Sequence, residues 1–346
     1  MKARVVIEWR RALAAALMSV AVANGTTKAD LVTIDMVTVG NAGNANDPAT
    51  GDTFGGVNYS YQIGKYDVTI QQYTDFLNAA AKTDPYSLYN ASMATDLNIA
   101  GISRAGSSGS YTYSVIGSTG NKPITYVSWW DAARFANWMQ NGQGSGDTET
   151  GAYTLGGATS GNAVAKNPGA TFYVPTENEW YKAAFYSPTL NSGSGGYWKY
   201  ATQSNSDPGN VVGSGANQAN YYTGAGYSVT QSGDYDANQN YLTDVGAFTN
   251  SASFYGTFDQ SGNVAQWNDL DGSAGSSRGL RGGDSVDNAF GLSSSFRYEG
   301  ETSEEPSNFG FRLASPVAVP EPSTYAMALA GLGFTGYSMF RRRKRA

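Results

Sequence analysis

The stretch between Phe254 and Ala314 constrains the fold of this chain more than any other part of the sequence. Four short motifs follow one another there. They are Gly262-Asn263-Val264-Ala265-Gln266-Trp267, Arg281-Gly282-Gly283-Asp284, the isolated Arg297, and Gly310-Phe311-Arg312-Leu313. A Gly-Gly pair by itself is common, whereas four such elements in this order and spacing are specific. The stretch therefore predicts a fold whose core uses all four.

This pattern resembles the C-terminal core of the formylglycine-generating enzyme family, also called the sulfatase-modifying-factor family. In that family the motifs are G-N-V-W-E-W, R-G-G-S, an arginine-bearing strand and G-F-R. The resemblance implies an α+β fold, namely the formylglycine-generating-enzyme-like variant of the C-type lectin-like fold. Such a fold is rich in loops and has few short helices and antiparallel strands.

Three capping boxes predict where helices begin. In each, a threonine or serine precedes a glutamine, aspartate or glutamate by three residues, so that each side chain accepts a hydrogen bond from the other residue's backbone N–H. The pairs are Thr69 with Gln72, Ser128 with Asp131, and Thr176 with Glu179. The segments around them are similar to the family motifs G-x-x-E-V-T-N-x-Q-Y, V-S-W-x-D-A and P-T-E-A-E-W. We interpret Glu179 as a helix cap and Trp180 as a core residue, in preference to a catalytic acid and a stacking platform.

Alternation of apolar and polar residues predicts strands at Leu31–Val39 and Tyr59–Tyr66. Loop and hairpin are expected over Tyr86–Gly120. The segment Gly193–Gly256 is rich in Gly, Asn and Tyr, and a structureless run of that length is uncommon in a compact domain. The family resemblance implies that this segment is ordered, partly around bound calcium.

The N-terminal residues Met1–Ala29 are typical of a secretory signal. Basic residues precede an apolar run at Ala12–Ala23, and this run has no polar face that would suit a buried helix. Ala21-Val22-Ala23 and Thr27-Lys28-Ala29 both fit the small-x-small rule of signal peptidase, so cleavage after Ala23 and cleavage after Ala29 both remain open.

The C-terminal residues 317–346 are predicted to form a second targeting signal, which leaves residues 30–316 as one domain. Pro320, Glu321 and Pro322 precede an apolar stretch at Tyr325–Phe340 and a basic cluster at Arg341–Arg345. The apolar stretch is short for a transmembrane segment, and the basic cluster would stay cytoplasmic. This order resembles the PEP-CTERM sorting signal, which an exosortase recognises and removes. A plain membrane anchor is the alternative.

The composition excludes several classes of site. The chain contains no cysteine and no histidine, which removes the usual ligands of zinc, copper, haem and iron–sulfur clusters as well as Cys and His nucleophile–base pairs. Residues 30–319 hold 12 basic and 26 acidic residues, a net charge of −14. Such a surface repels nucleic acid and suits cations or neutral ligands.

The family's own chemistry is not expected here. The family enzyme oxidises a substrate cysteine with a pair of copper-binding cysteines, and the matching positions of this chain are Asp287 and Leu292. Neither can supply a Cu(I) thiolate. Related iron-dependent sulfoxide synthases need histidines, which are also absent. We therefore predict no catalytic residues of the family type and no copper, zinc, iron or haem.

Charged residues remain near the former redox site, and they include the glutamates Glu299, Glu301, Glu304 and Glu305. Asp284, Asp287, Arg281 and Arg297 are the candidate ligand-binding residues. The arginines are expected to pair with nearby acids or to pack on aromatic rings more than to bind an anion. A carboxylate pair that performs acid–base chemistry is an alternative, and solvated loop acids are the simplest interpretation.

The family resemblance implies calcium as a cofactor. Calcium prefers several hard oxygen ligands, such as carboxylates, amides and backbone carbonyls. A first site maps onto Asp259, the carbonyls of Gly262 and Val264, and Gln266. A second site maps onto the set Asn220, Tyr221, Asp236 and Asn238. The alternative for the first site is that Asp259 and Gln266 brace a turn through backbone hydrogen bonds.

Taken together, these features predict an exported protein at the cell surface or in the extracellular matrix, reached through a transient membrane anchor. Its domain is expected to be a non-catalytic module that binds a glycan or another envelope protein, for which Tyr-, Asn- and Ser-rich loops are suited. The alternatives are an enzyme of unknown reaction with an acidic cleft, and a structural matrix component.

Overall fold

A computed structural model describes residues 31–317; the predicted signal peptide and residues 318–346 of the predicted sorting tail lie outside this range. The described residues form thirteen short strands and five α-helices. The strands are β1 (Met36–Val39), β2 (Tyr61–Gly64), β3 (Ile102–Ala105), β4 (Thr112–Val115), β5 (Tyr186–Ser187), β6 (Gly196–Tyr197), β7 (Gly213–Ala216), β8 (Phe248–Asn250), β9 (Ala265–Asn268), β10 (Ser277–Arg281), β11 (Tyr298–Glu301), β12 (Phe309–Gly310) and β13 (Ala314–Pro316). The helices are α1 (Ile70–Ala80), α2 (Ser92–Thr95), α3 (Trp129–Gln140), α4 (Glu177–Phe185) and α5 (Leu190–Gly193).

Two sheets organise the domain. The first has the order β1-β2-β13, and β13 pairs antiparallel with β2, so that Ala314 lies opposite Ile63 near the other end of the described chain. The second has the order β11-β10-β9-β12 and is antiparallel except that β12 runs parallel to β9. The remaining strands form the pairs β3–β4, β5–β6 and the parallel pair β7–β8. The sheet of β9–β12 carries the motifs of the Phe254–Ala314 stretch.

The three predicted helix starts are confirmed. Complete capping boxes begin α1 at Thr69, α3 at Ser128 and α4 at Thr176. Asn141 follows α3, and the next residue, Gly142, has a φ of 78°, the left-handed conformation that commonly ends a helix. These ends are set locally because the capping partners are three residues apart in the chain.

The main core lies between α1, α3 and the C-terminal strands. The rings of Phe76 and Phe135 meet edge to face with centroids 5.4 Å apart, and Phe135 meets Phe311 at 5.5 Å. Trp267 from β9 is fully buried in the same cluster. Each fully buried aromatic of this kind contributes about 1.5–3 kcal/mol through loss of apolar surface to water. The predicted apolar faces of α1 and α3 therefore do face the core.

The strands are shorter than the sequence pattern predicts. The predicted strand Leu31–Val39 contains β1 only from Met36, and the predicted strand Tyr59–Tyr66 contains β2 only over Tyr61–Gly64. Each strand is short because β1 and β2 pair with each other over only four residues. The alternating residues outside these four do not pair in the β1–β2 ladder. The hairpin expected within Tyr86–Gly120 is formed by β3 and β4.

Asparagine side chains hold together the long segment at Gly193–Gly256. Asn210 Nδ2 donates to the carbonyls of Tyr221 and Gly226, and Asn220 Nδ2 donates to the carbonyl of Tyr241. An amide side chain can bond a backbone group where no strand runs alongside. The segment is thus ordered with little regular structure.

Within residues 31–317, no helix is long and apolar enough to span a membrane.

Candidate functional site

The loop that follows β10 forms one wall of a cleft. Gly282 and Gly283 have φ values of 102° and 65°, which turn the chain sharply out of the strand. A Cβ atom at Gly283 would lie 2.8 Å from the backbone carbon of Gly291, so the two ends of the loop can approach only because residue 283 is glycine.

Asp284 braces this loop from a buried position. Its Oδ1 accepts hydrogen bonds from the backbone N–H groups of Val286 and Asp287 at 2.7 and 3.0 Å, and its Oδ2 accepts from Asn308 Nδ2 at 2.6 Å. Both carboxylate oxygens of Asp284 therefore already accept hydrogen bonds from the protein. Asp284 fixes the shape of the loop and adds negative charge to the site.

Asp287 is the more available carboxylate. It is half-buried, and within residues 31–317 its carboxylate accepts a single hydrogen bond, to Oδ2 from the backbone N–H of Asp284 at 3.2 Å. Burial, and then the charge of Asp284, raise the pKa of Asp287 to about 6. Its carboxyl group can therefore accept or donate a hydrogen bond at mildly acidic pH.

The cleft has a volume of about 380 Å³ and lies against the sheet of β9–β12. Its polar and aromatic lining includes Asp287, Glu304, Asn308, Phe296 and Tyr298. Among residues 31–317, no group donates a hydrogen bond to the carboxylate of Glu304, which is half-buried. Sequence reasoning noted Glu304 only as a loop acid and missed Asn308 and Tyr298, although Asn308 directly precedes the Phe309-Gly310-Phe311-Arg312 motif.

The other former cysteine position is part of the core. Leu292 is fully buried and belongs to a small apolar cluster with Tyr200, Ala219 and Tyr221. The two positions at which the family places cysteines thus hold a half-buried carboxylate and a buried aliphatic side chain. Neither supports thiolate chemistry.

The two candidate ligand-binding arginines are engaged with Glu177 at the start of α4. Arg281 Nε donates to Glu177 Oε1 at 2.6 Å, and Arg297 Nε donates to the same oxygen at 2.8 Å. Arg281 also stacks on Phe54 and Tyr181, and Arg297 bonds Glu299. The expectation of pairing and aromatic packing is met, although the main acid is Glu177 rather than a residue of the 284–305 region. A ligand role thus rests on Asp287 more than on either arginine.

The residues predicted for a first calcium site brace a turn. Asp259 Oδ2 accepts from the backbone N–H of Gly246 at 2.7 Å, and Gln266 Nε2 donates to the carbonyl of Asp259 at 2.7 Å. Gln266 Oε1 already accepts from Trp180 Nε1 and from the buried Arg312 Nε, and a guanidinium group repels a cation. The oxygens of this set that remain for an ion are Asp259 Oδ1 and the carbonyls of Gly262 and Val264, of which the Gly262 carbonyl already accepts from the backbone N–H of Val264 at 3.0 Å.

The predicted second calcium set is split. Asn220 Oδ1 is buried and accepts no hydrogen bond from residues 31–317, which suits an ion or a water. Asp236 and Asn238 are exposed, and Asp236 Oδ1 accepts from the backbone and side-chain N–H groups of Asn238. Tyr221 offers its carbonyl, which Asn210 and Ser228 already use. Asn220 thus offers a buried open oxygen, whereas Asp236 and Asn238 lie at the surface, and no three carboxyl groups of residues 31–317 lie close enough together to hold a metal ion.

The fold and this cleft define a formylglycine-generating-enzyme-like domain, a loop-rich α+β variant of the C-type lectin-like fold. Residues 20–317 match the family model of the sulfatase-modifying factor enzyme 1-like domain, and the chain belongs to this family. Residues 318–344 match the PEP-CTERM protein-sorting motif, which implies export and processing by an exosortase. No curated protein sequence matches the chain significantly.

Several solved structures resemble the domain. The crystal structure of CarF is 22% identical and covers 83% of this chain and 99% of its own, with a TM-score of 0.49. Treponema denticola variable protein 1 is 19% identical, with coverages of 82% and 96% and a TM-score of 0.48. PvdO from Pseudomonas aeruginosa is 16% identical, with coverages of 83% and 93% and a TM-score of 0.40. At these identities and TM-scores the similarity carries no information about a ligand.

Proposed function

We propose that the domain is a non-catalytic binding module of an exported protein, and that the cleft beside Asp287 binds a glycan without acidic groups. The observation that carries this proposal is the lining of the cleft, in which open carboxylate oxygens lie beside the exposed ring of Tyr298 and the half-buried ring of Phe296. Its volume of about 380 Å³ is within the range of about 300–1,000 Å³ typical of small-molecule sites.

The charges of the cleft select against anions. Asp287 and Glu304 accept hydrogen bonds when ionised, and sugar hydroxyl groups donate them. The nearest arginine, Arg281, is neutralised by Glu177 and hydrogen-bonded to the carbonyls of Ser294 and Phe296. A polymer of uronic acids would meet negative charge without a compensating cation, whereas a neutral sugar would not.

An aromatic ring supplies the apolar contact. Tyr298 is 47% exposed, although its ring is large and apolar, and it lies at the cleft beside the buried Phe309. One face of a sugar ring presents C–H groups that pack on such a surface, and a tyrosine offers this area at low cost in side-chain entropy.

The proposed location follows from the two ends of the chain. The PEP-CTERM motif supports removal of the tail after export, and the N-terminal segment supports removal by signal peptidase. We place the mature protein at the cell surface or in the extracellular matrix, where glycans and envelope proteins are available. Calcium is proposed as a structural ion held by Asp259 and neighbouring carbonyls.

A second candidate function is hydrolysis of the bound glycan. It is favoured by the presence of two carboxyl groups, Asp287 and Glu304, in the lining of one cleft, and by the burial and the Asp284 charge that raise the pKa of Asp287 to about 6. Glycosidases use a pair of carboxyl groups, of which the one with the raised pKa serves as the general acid. Release of new reducing ends during incubation with a bound glycan would establish this function in place of simple binding.

The binding proposal is tested with the full chain purified in mild detergent, on an array of neutral and acidic glycans and then by calorimetry. We expect saturable binding of neutral glycans without product. Asp287→Asn should weaken binding about tenfold or more, because a hydrogen bond to a charged group contributes about 1.5–3 kcal/mol. Tyr298→Ala should weaken it about fivefold, while Leu97→Ala, equally exposed at 47% and not among the residues that line the cleft, should have no effect. Equal binding by all three variants would place the ligand elsewhere.

A further inference from the structure

A second cleft adjoins the first and shares Asp287 with it. It has a volume of about 580 Å³ and is lined by Asp207, Tyr222, Asn288 and Phe290 in addition to Asp287. The loop of residues 286–290 thus separates two clefts and contributes to both. The backbone N–H of Tyr222 donates to the carbonyl of Asp287 at 2.9 Å, which holds this dividing loop in place.

Aromatic rings continue across the divide. Phe290 in the second cleft meets Phe296 in the first edge to face, with centroids 5.7 Å apart. Phe290 is 62% exposed, an unusual position for a large apolar side chain that the fold does not bury. Each cleft therefore presents an exposed ring, Phe290 in one and Tyr298 in the other, with the Asp287 carboxylate between them.

We infer that the two clefts act as one groove, and that the ligand is an extended segment of a non-acidic polysaccharide that crosses Asp287 and contacts Phe290 and Tyr298 at its two ends. This inference rests on the proposed glycan-binding function and specifies its ligand class. A single terminal sugar would fill only one cleft and leave the other ring exposed.

The lining favours a polysaccharide over an extended peptide. A peptide strand binds by adding to the free edge of a sheet, where unpaired backbone groups are available. The residues that line the second cleft lie in loops, and none of them belongs to a strand. The second cleft therefore offers side-chain rings and carboxylates without a strand edge, and these groups suit sugar faces and hydroxyl groups.

The test uses size-graded oligomers of three neutral polysaccharides, chitin, cellulose and mannan, with the full chain in calorimetry. For a chain that binds, affinity should rise at least about tenfold from disaccharide to hexasaccharide, because the longer oligomer reaches the second cleft. Phe290→Ala should remove most of this gain without affecting the disaccharide, whereas Tyr298→Ala should weaken both lengths. Since Phe290 is exposed, its variant should melt like wild type, and Leu97→Ala serves again as the control.

The outcomes distinguish a single extended groove from glycan binding in the first cleft. Equal affinity for disaccharide and hexasaccharide, or an unaltered hexasaccharide affinity in Phe290→Ala, overturns the single groove while the glycan-binding function stands. Absence of binding to any oligomer overturns both. Saturable binding of an unstructured peptide library without any oligomer binding also overturns both and assigns the groove to a peptide.

Discussion

Replacing Glu177 with glutamine removes the negative charge that Arg281 and Arg297 share. Glu177 and Arg281 are almost fully buried, with side-chain exposures of 4% and 2%, whereas Arg297 reaches solvent. The substitution keeps the size of the side chain and one acceptor oxygen. Its main effect is therefore to leave the guanidinium of Arg281 buried without a counter-ion.

The size of the effect follows from that burial. Removing one partner of a buried ion pair costs about 3–5 kcal/mol, because an uncompensated charge remains inside the protein. The carbonyls of Ser294 and Phe296 still accept from Arg281 at 2.9 Å, so we expect the lower end, about 3 kcal/mol. In a domain of this size that loss lowers the melting temperature by about 6 °C.

Glu299→Gln is the matched control. Glu299 bonds the same Arg297 but is 41% exposed, and an exposed ion pair contributes about 0–1 kcal/mol. The two variants change the same chemical group beside the same arginine and differ in burial. Urea unfolding gives both free energies, and added salt should reduce only the small effect of Glu299→Gln, since exposed pairs are screened.

Equal losses of stability in the two variants would refute this reasoning. So would a large loss in Glu177→Gln that disappears at high salt, because it would show that water reaches the Arg281–Glu177 pair. A change in the urea m-value alone would indicate an altered unfolded or native ensemble and not the loss of an ion pair.

Four further predictions follow from the same residues. Calcium at a hundredfold excess over its Kd should stabilise the protein by about 2.7 kcal/mol, and it should raise the melting temperature more than magnesium does. The Asp259→Ala variant should respond only weakly to calcium. Identical melting of the wild type with chelator and with calcium would show that Asp259 only braces a turn. With copper and oxygen the protein should not convert the cysteine of a Cys-x-Pro-x-Arg peptide, since it lacks cysteine, and a mass loss on that cysteine would contradict this. Intact-mass analysis of envelope protein should show cleavage near Pro320–Ser323, whereas recovery of only the full-length chain in the inner membrane would identify a plain anchor. Because burial and Asp284 raise the pKa of Asp287 to about 6, the folded protein holds this proton more tightly than the unfolded chain does. Stability relative to Asp287→Asn should therefore fall as pH rises from about 4 to about 6, and parallel pH–stability curves of the two proteins would disprove it.

Features that depend on neighbouring residues could be predicted from the sequence alone. The capping boxes at Thr69, Ser128 and Thr176 were predictable because both partners of each box lie within one helical turn. The family of the domain and the sorting motif of the tail were also predictable, since each is marked by short runs of consecutive residues. The absence of cysteine was enough to predict the loss of the copper-binding thiolates.

The tertiary structure alone decided which distant residues meet. Glu177 lies 104 residues before Arg281 and 120 before Arg297, and no local pattern marks it as their shared partner. In the same way, Glu304 and Asp287 line one cleft, and Phe290 adjoins it, because the loops that carry them follow strands of one sheet, in which β11, β10, β9 and β12 lie in that order. The capping and apolar patterns in the sequence link residues that are close together in the chain. The site is assembled by the packing of segments that are far apart in the chain.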